Sequence, residues 1–98
     1  MALELFWSKR ADKKFDRIIS YLRSKWDEKV VRSFIKKVYI FLDILVEFPT
    51  IGTLENSEKG IRGYSILKQI SIFYKIEGHN IILLDFFDNR QDSHKKAF

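Results

Sequence analysis

The apolar positions change period along the chain, and each change marks an element. Leu3 to Trp7 is a short apolar run interrupted by Glu4, which predicts a strand. Ser8 follows, a residue whose hydroxyl can accept from the free N–H groups of a helix start. From there Ala11, Phe15, Ile18, Ile19, Leu22 and Trp26 recur at three- and four-residue spacing, as one buried helical face requires. Asp27 predicts a second N-cap, with Trp26 before it and Val31 after it placed for a hydrophobic staple. Val31, Phe34, Ile35, Val38, Leu42 and Leu45 then hold the same period. Val30 and Phe41 widen their stripe, so the second helix should be the more buried of the two. Phe48-Pro49 ends it, because the residue before a proline is pushed out of the helical region.

Residues 50–60 hold two glycines, an asparagine, a serine and three charges, and read as a loop. Beyond it the period falls to two. Ile61–Leu67 predicts a strand, and Gln69 lies in a tight connection to the next. There Ile70, Ile72, Tyr74 and Ile76 alternate with Ser71, Phe73, Lys75 and Glu77. Glu77-Gly78-His79-Asn80 has the residue types of a turn. Ile81–Phe87 is apolar on both faces, which suits an interior strand better than an edge. The predicted order is β-α-α-β-β-β: an α+β fold with a helical hairpin packed on a small, mainly antiparallel sheet. Residues 1–98 form one domain, without repeats or linkers.

Composition narrows the chemistry. A 98-residue chain that is 46% hydrophobic and 15% aromatic can bury one modest core. With no cysteine and two isolated histidines, it offers no disulfide, thiolate zinc site or cysteine nucleophile, and no metal or cofactor is expected. No apolar run is long enough to span a bilayer, and the start does not resemble a secretory leader. A cytoplasmic protein without a membrane partner is expected. The charge is uneven: Lys9 to Lys37 carries eleven Lys/Arg against four Asp/Glu, a net +7, which leaves −2 for the rest. Arg10, Lys14, Arg17, Arg32 and Lys36 are the candidates there for binding nucleic acid or an acidic protein. The same residues would also serve as solvated faces of two amphipathic helices.

No glycine-rich phosphate loop, H-E-x-x-H or G-x-S-x-G motif is present. Asp85 and Asp88, three residues apart, could work as acid and base. They read better as a strand-ending and a turn-capping aspartate. His79 reads as an exposed turn residue. His94, near Arg90, Lys95 and Lys96, is a weak candidate for acid or base. Antiparallel pairing could gather Arg62, Lys68, Lys75 and Arg90 on one surface, where arginine forks would hold phosphate at two points. Lys68 and Lys75 read as solvent-facing, which leaves Arg62 and Arg90, at the ends of apolar strands, as the better candidates.

Five segments carry a resemblance to a known family. Trp7-Ser8-Lys9-Arg10-Ala11 looks like a strand ending in Trp-Ser/Thr before a helix with an early alanine. Phe48-Pro49-Thr50-Ile51-Gly52 is similar to a Phe-Pro-x-x-Gly link, and Ile61-Arg62 to an apolar-Arg strand start. Ile72-Phe73-Tyr74-Lys75-Ile76 looks like an Ile-x-Tyr-x-Ile hairpin, and Asp88-Asn89-Arg90-Gln91-Asp92 like an arginine-containing end of the last strand. Together, over residues 3–92, they resemble the RelE/ParE superfamily of bacterial toxin–antitoxin systems, and its ParE-like branch more closely. The resemblance implies a growth-arresting toxin neutralised by a cognate, acidic antitoxin, which would be drawn to the basic hairpin. ParE-like members act on DNA gyrase. RelE-like members are ribosome-dependent mRNA endonucleases that use sheet lysines and arginines with a tyrosine, histidine or glutamate near the C-terminus. Arg62 and Arg90 match positions found in both branches, and no tyrosine or histidine directly follows the last strand. A gyrase inhibitor is the leading expectation; an endonuclease using Arg62, Arg90 and His94, or an inactive antitoxin-binding relative, are the alternatives.

Overall fold

Both helices begin where the sequence supplies a cap. The computed structural model describes residues 3–88. After β1 (Glu4–Trp7), Ser8 Oγ accepts from the Ala11 N–H at 3.0 Å and opens α1 (Lys9–Lys25). Asp27 Oδ1 accepts from Lys29 and Val30 N–H at 3.0 and 3.2 Å and opens α2 (Glu28–Glu47). The turn between the helices is bridged by Arg23, whose Nε and Nη2 lie 3.3 and 3.2 Å from the two Glu28 carboxylate oxygens. Trp26, expected to form a staple, is instead mostly exposed at this tip.

β2 (Thr53–Asn56), β3 (Ile61–Leu67), β4 (Ile70–Glu77) and β5 (Asn80–Asp88) complete a five-stranded sheet in the order β1-β5-β4-β3-β2. Only β1 and β5 pair in parallel. The expected helical hairpin on a mainly antiparallel sheet is therefore present, and β5 is interior, as its two apolar faces required. The order is corrected by one strand, because part of the expected 50–60 loop is the edge strand β2. Its four residues are largely exposed, so no burial alternation marks them; pairing with β3 defines them.

The helices bury their stripes against one face of the sheet. Ala11, Phe15, Ile18 and Leu22 of α1, with Val31, Phe34, Val38, Phe41, Leu42 and Leu45 of α2, meet Ile70, Ile72, Tyr74, Ile81, Leu83 and Phe86. Four rings lock the α1 end of this core. Trp7 stacks on Phe86 at 5.5 Å and meets Phe15 edge-on at 5.2 Å, and Phe15 lies 5.7 Å from Phe34. The opposite sheet face carries a smaller cluster of Ile61, Phe73 and Phe87.

β5 is not a regular strand. Leu83 pairs with Tyr74 and Asp85 with Phe73, so Leu84 has no partner in β4 and forms a bulge. β1 pairs with β5 no further than Leu83. The start of α1 takes over the strand's flank from there: the Ser8 N–H donates to Leu83 O at 3.0 Å and Ser8 Oγ to Leu84 O at 3.1 Å. This handover positions the site.

Candidate functional site

Just past the bulge, Asp85 is buried inside β5, with 2% of its side chain exposed. Arg10 Nε lies 3.2 Å from Asp85 Oδ2 and Lys14 Nζ 3.7 Å from Oδ1. A buried carboxylate needs such partners, because an isolated charge in a low-dielectric interior costs far more than its packing returns. The two cations are one helical turn apart and both come from α1. The carboxylate thus pins that helix to β5. Lys14 is the more enclosed, with 18% of its side chain exposed, and its Nζ also lies 5.9 Å from the centre of the Phe87 ring. Arg10 stays 58% exposed. Around this anchor a depression of about 380 Å³ is lined, among the described residues, by Lys9, Arg10, Lys13, Lys14 and Arg17.

A second constellation holds the link between α2 and β2. The Tyr74 hydroxyl donates to Pro49 O at 2.8 Å and accepts from the Gly52 N–H at 2.9 Å. Arg62 Nη1 donates to Gly52 O at 2.8 Å and to Thr50 O at 3.4 Å. Gly52 is required by proximity: a Cβ there would sit 2.7 Å from Tyr74 Oη and 2.9 Å from Gly63 O. Burial pushes the Tyr74 phenol above its ordinary value of 10.0, partly offset by the Gly52 hydrogen bond and the Arg62 charge. The folded chain therefore holds this proton more tightly than the unfolded chain, and stability falls as pH rises past about 10. Tyr74→Phe should cost about 1–3 kcal/mol, because the Gly52 N–H loses its acceptor in a buried setting. The same variant should lose part of the alkaline destabilisation. Urea midpoints at neutral pH and above pH 10 test both; an unchanged neutral midpoint would refute the lock.

A third feature is apolar. Lys37, Ile40, Phe41 and Ile44 of α2 face Tyr64, Ser65 and Ile66 of β3 across a groove of about 180 Å³. Phe41 stacks on Tyr64 at 4.3 Å and forms its floor. Ile40 and Ile44, one turn apart, remain 48% and 40% exposed on its wall.

The profile described as "ParE toxin of type II toxin-antitoxin system, parDE" matches residues 5–93. The chain belongs to the ParE toxin family. Its fold is shared with the chromosomal ParDE system of P. aeruginosa, at TM-score 0.74 and 13% identity, over 89% of this chain and 96% of that one. The YoeB dimer of Staphylococcus aureus gives TM-score 0.62 and 16% identity, over 89% and 97% of the two chains. The E. coli DinJ-YafQ toxin-antitoxin complex gives 0.61 and 11%, over 92% and 96%. No curated protein matches. By that family match the protein is a toxin of the type II toxin–antitoxin class.

Within this ParE-family chain the site residues read from sequence do not converge. Cross-strand partners share a face, so Arg62, opposite Tyr74, lies on the helix side, and Lys75 lies on the other. Arg62 is engaged with the Phe-Pro-x-x-Gly link, and Lys75 pairs with Glu77. Arg10, Lys14 and Arg17 meet at the Asp85 depression, whereas Arg32 and Lys36 stand exposed on α2. His79 is exposed in its turn, as expected. Arg90 and His94 lie outside the described residues. Asp85 needs a correction. It does not end the strand but anchors α1, and the available signal was a lone acid inside the apolar run Ile81–Phe87. The Tyr74–Gly52–Arg62 lock was also missed, since three separate motifs had to be brought together to form it.

Proposed function

We propose that this toxin arrests growth by binding DNA gyrase in the cytoplasm, without bond-breaking chemistry of its own, and that its antitoxin lays an amphipathic helix into the α2–β3 groove. The observation that carries the gyrase reading is the ParE-family match along residues 5–93. The commitments of Arg62 to loop carbonyls and of Lys75 to Glu77 support it, since a phosphodiester-cleaving site would need such side chains turned toward its substrate. The groove suits an antitoxin helix because Ile40, Ile44, Tyr64 and Ile66 offer apolar seats, and Lys37 at the lip would meet its acidic side.

A supercoiling assay with purified gyrase tests the target: inhibition by the toxin supports the reading. Gyrase left untouched at high excess, with cleavage of translated mRNA by primer extension, would replace it with the endonuclease. The groove has its own test. Ile44→Glu should weaken the complex with the protein encoded beside the toxin by about 2 kcal/mol, roughly thirtyfold, while leaving growth arrest intact. Undiminished co-purification would move the antitoxin elsewhere.

A further inference from the structure

α2 turns a second face away from the sheet. At 3.6 residues per turn, Lys36, Ile40, Asp43, Ile44 and Glu47 fall within an arc of roughly 100° opposite the buried stripe, and all five are exposed. The exposed charges are ordered by sign along the helix. Lys29, Arg32, Lys36 and Lys37 precede Ile40, and Asp43 and Glu47 follow it; Glu28, at the helix start, is already engaged with Arg23. Helix stability does not account for this order. Cations in the first half and acids in the last turns oppose the helix dipole, and the last turn carries no basic residue. Arg32 and Lys36, like Asp43 and Glu47, are like charges four residues apart, which destabilise an isolated helix. Nor are these charges neutralised within the chain. No acid lies three or four residues from Lys36, and no cation lies three or four residues from Asp43 or Glu47. Among the described residues the ion pairs involve none of the three. We propose that this face pairs with the same face of a second copy of the chain, α2 against α2, antiparallel about a two-fold axis.

The pattern selects this occupant because, reversed, it is complementary to itself. A two-fold contact presents one patch twice, so each residue must suit its own image. Setting Ile40 of one copy opposite Ile44 of the other places the axis level with residue 42. Lys36 and Glu47 have their midpoint within half a residue of that level, under about 1 Å of helix rise. Both also lie on the same side of the Ile40–Ile44 line, and a two-fold axis keeps like flanks together. One register therefore gives four packed isoleucines and two Lys36–Glu47 ion pairs. On the other flank the Lys37 stem reaches the exposed Phe48 ring of the second copy. A parallel pair would set Lys36 against Lys36 and Glu47 against Glu47. The face is one helix wide and about three turns long, short of the roughly 800 Å² per partner of a standard interface, so the dimer is weak and reversible. Ile40 and Ile44 also wall the α2–β3 groove, so self-pairing and antitoxin docking exclude each other. That exclusion rests on the proposed use of the groove; the pairing itself does not.

Sedimentation equilibrium of the full-length toxin, from about 1 to about 300 μM, should show a monomer–dimer equilibrium. Lys36→Glu and Glu47→Lys each set two like-charge pairs across the axis, and each should weaken the dimer at least about tenfold. Two recombinations then test the register. The double variant Lys36→Glu/Glu47→Lys reverses both pairs, and an equimolar mixture of the two single variants forms one native and one reversed pair. Both should return to within about threefold of the parent. Residues 36 and 47 lie about 16 Å apart along one helix, so rescue can come only through a second copy. Thermal melting confirms that these surface variants fold. A toxin that stays monomeric throughout the range would overturn the proposal. So would a dimer that either single variant leaves unchanged, because the contact would then lie elsewhere, or a double variant as weak as the single ones. Co-purification with the protein encoded beside the toxin is read on the same variants. Lys36→Glu should keep that complex, whereas Ile44→Glu should lose both the complex and the dimer. If Ile44→Glu loses the dimer but keeps the complex, the pairing stands and only the groove reading fails.

Discussion

Leu42→Asp should leave no cooperatively folded protein at room temperature. Leu42 is almost fully buried in the stripe that α2 presses onto the sheet. Truncating such a leucine to alanine costs about 2–5 kcal/mol through lost transfer energy and the cavity left behind. The aspartate adds an ionised carboxylate with no cation among the core residues that surround it, at a further cost of several kcal/mol unless it takes up a proton. A domain of this size has about 5–15 kcal/mol in total, so the substitution consumes most or all of it. Circular dichroism and urea denaturation of Leu42→Ala and Leu42→Asp make the comparison. Leu42→Ala should unfold cooperatively at a lower midpoint, and Leu42→Asp should show no transition. A cooperative Leu42→Asp transition near the parent's midpoint would mean that the stripe is not the core.

That stripe was legible because it depends on period alone. The spacing of Val31, Phe34, Val38, Leu42 and Leu45 requires a helix with one buried face whatever lies opposite, and Ser8 and Asp27 carry their caps within three residues. Features that depend on distant chain segments were not legible in this way. β2 has both faces open, so only its hydrogen bonds to β3 make it a strand. Arg62 carries the same fork whether it holds a phosphate or a carbonyl, and only the fold brings Gly52 and Thr50 within its reach. The basic stretch was visible as a sum. Its division into the α1 cations gathered at Asp85 and the exposed cations of α2 required the bulge at Leu84 and the handover from β1 to α1.

Asp85→Asn tests that handover directly, and should lower stability by about 2–4 kcal/mol. The substitution keeps the side chain's shape and removes its charge. Lys14, with 18% of its side chain exposed, would then be an enclosed cation without the carboxylate that offsets its desolvation. Arg10 contributes less, because at 58% exposure water can screen it. For a domain of about this size each kcal/mol moves the melting temperature by roughly 4–8 °C, so a fall on the order of 10 °C or more is expected. If the cost comes from uncompensated charge, removing the cations should relieve it. The triple variant Asp85→Leu/Arg10→Met/Lys14→Met should melt above Asp85→Asn, because well-packed apolar replacements of a buried ion pair are often neutral or stabilising. If the cost were lost packing alone, the triple variant would melt no higher than the single one. Should Asp85→Asn itself melt within a few degrees of the parent, the carboxylate does not hold α1 to β5, and the cations lining the depression have lost their anchor.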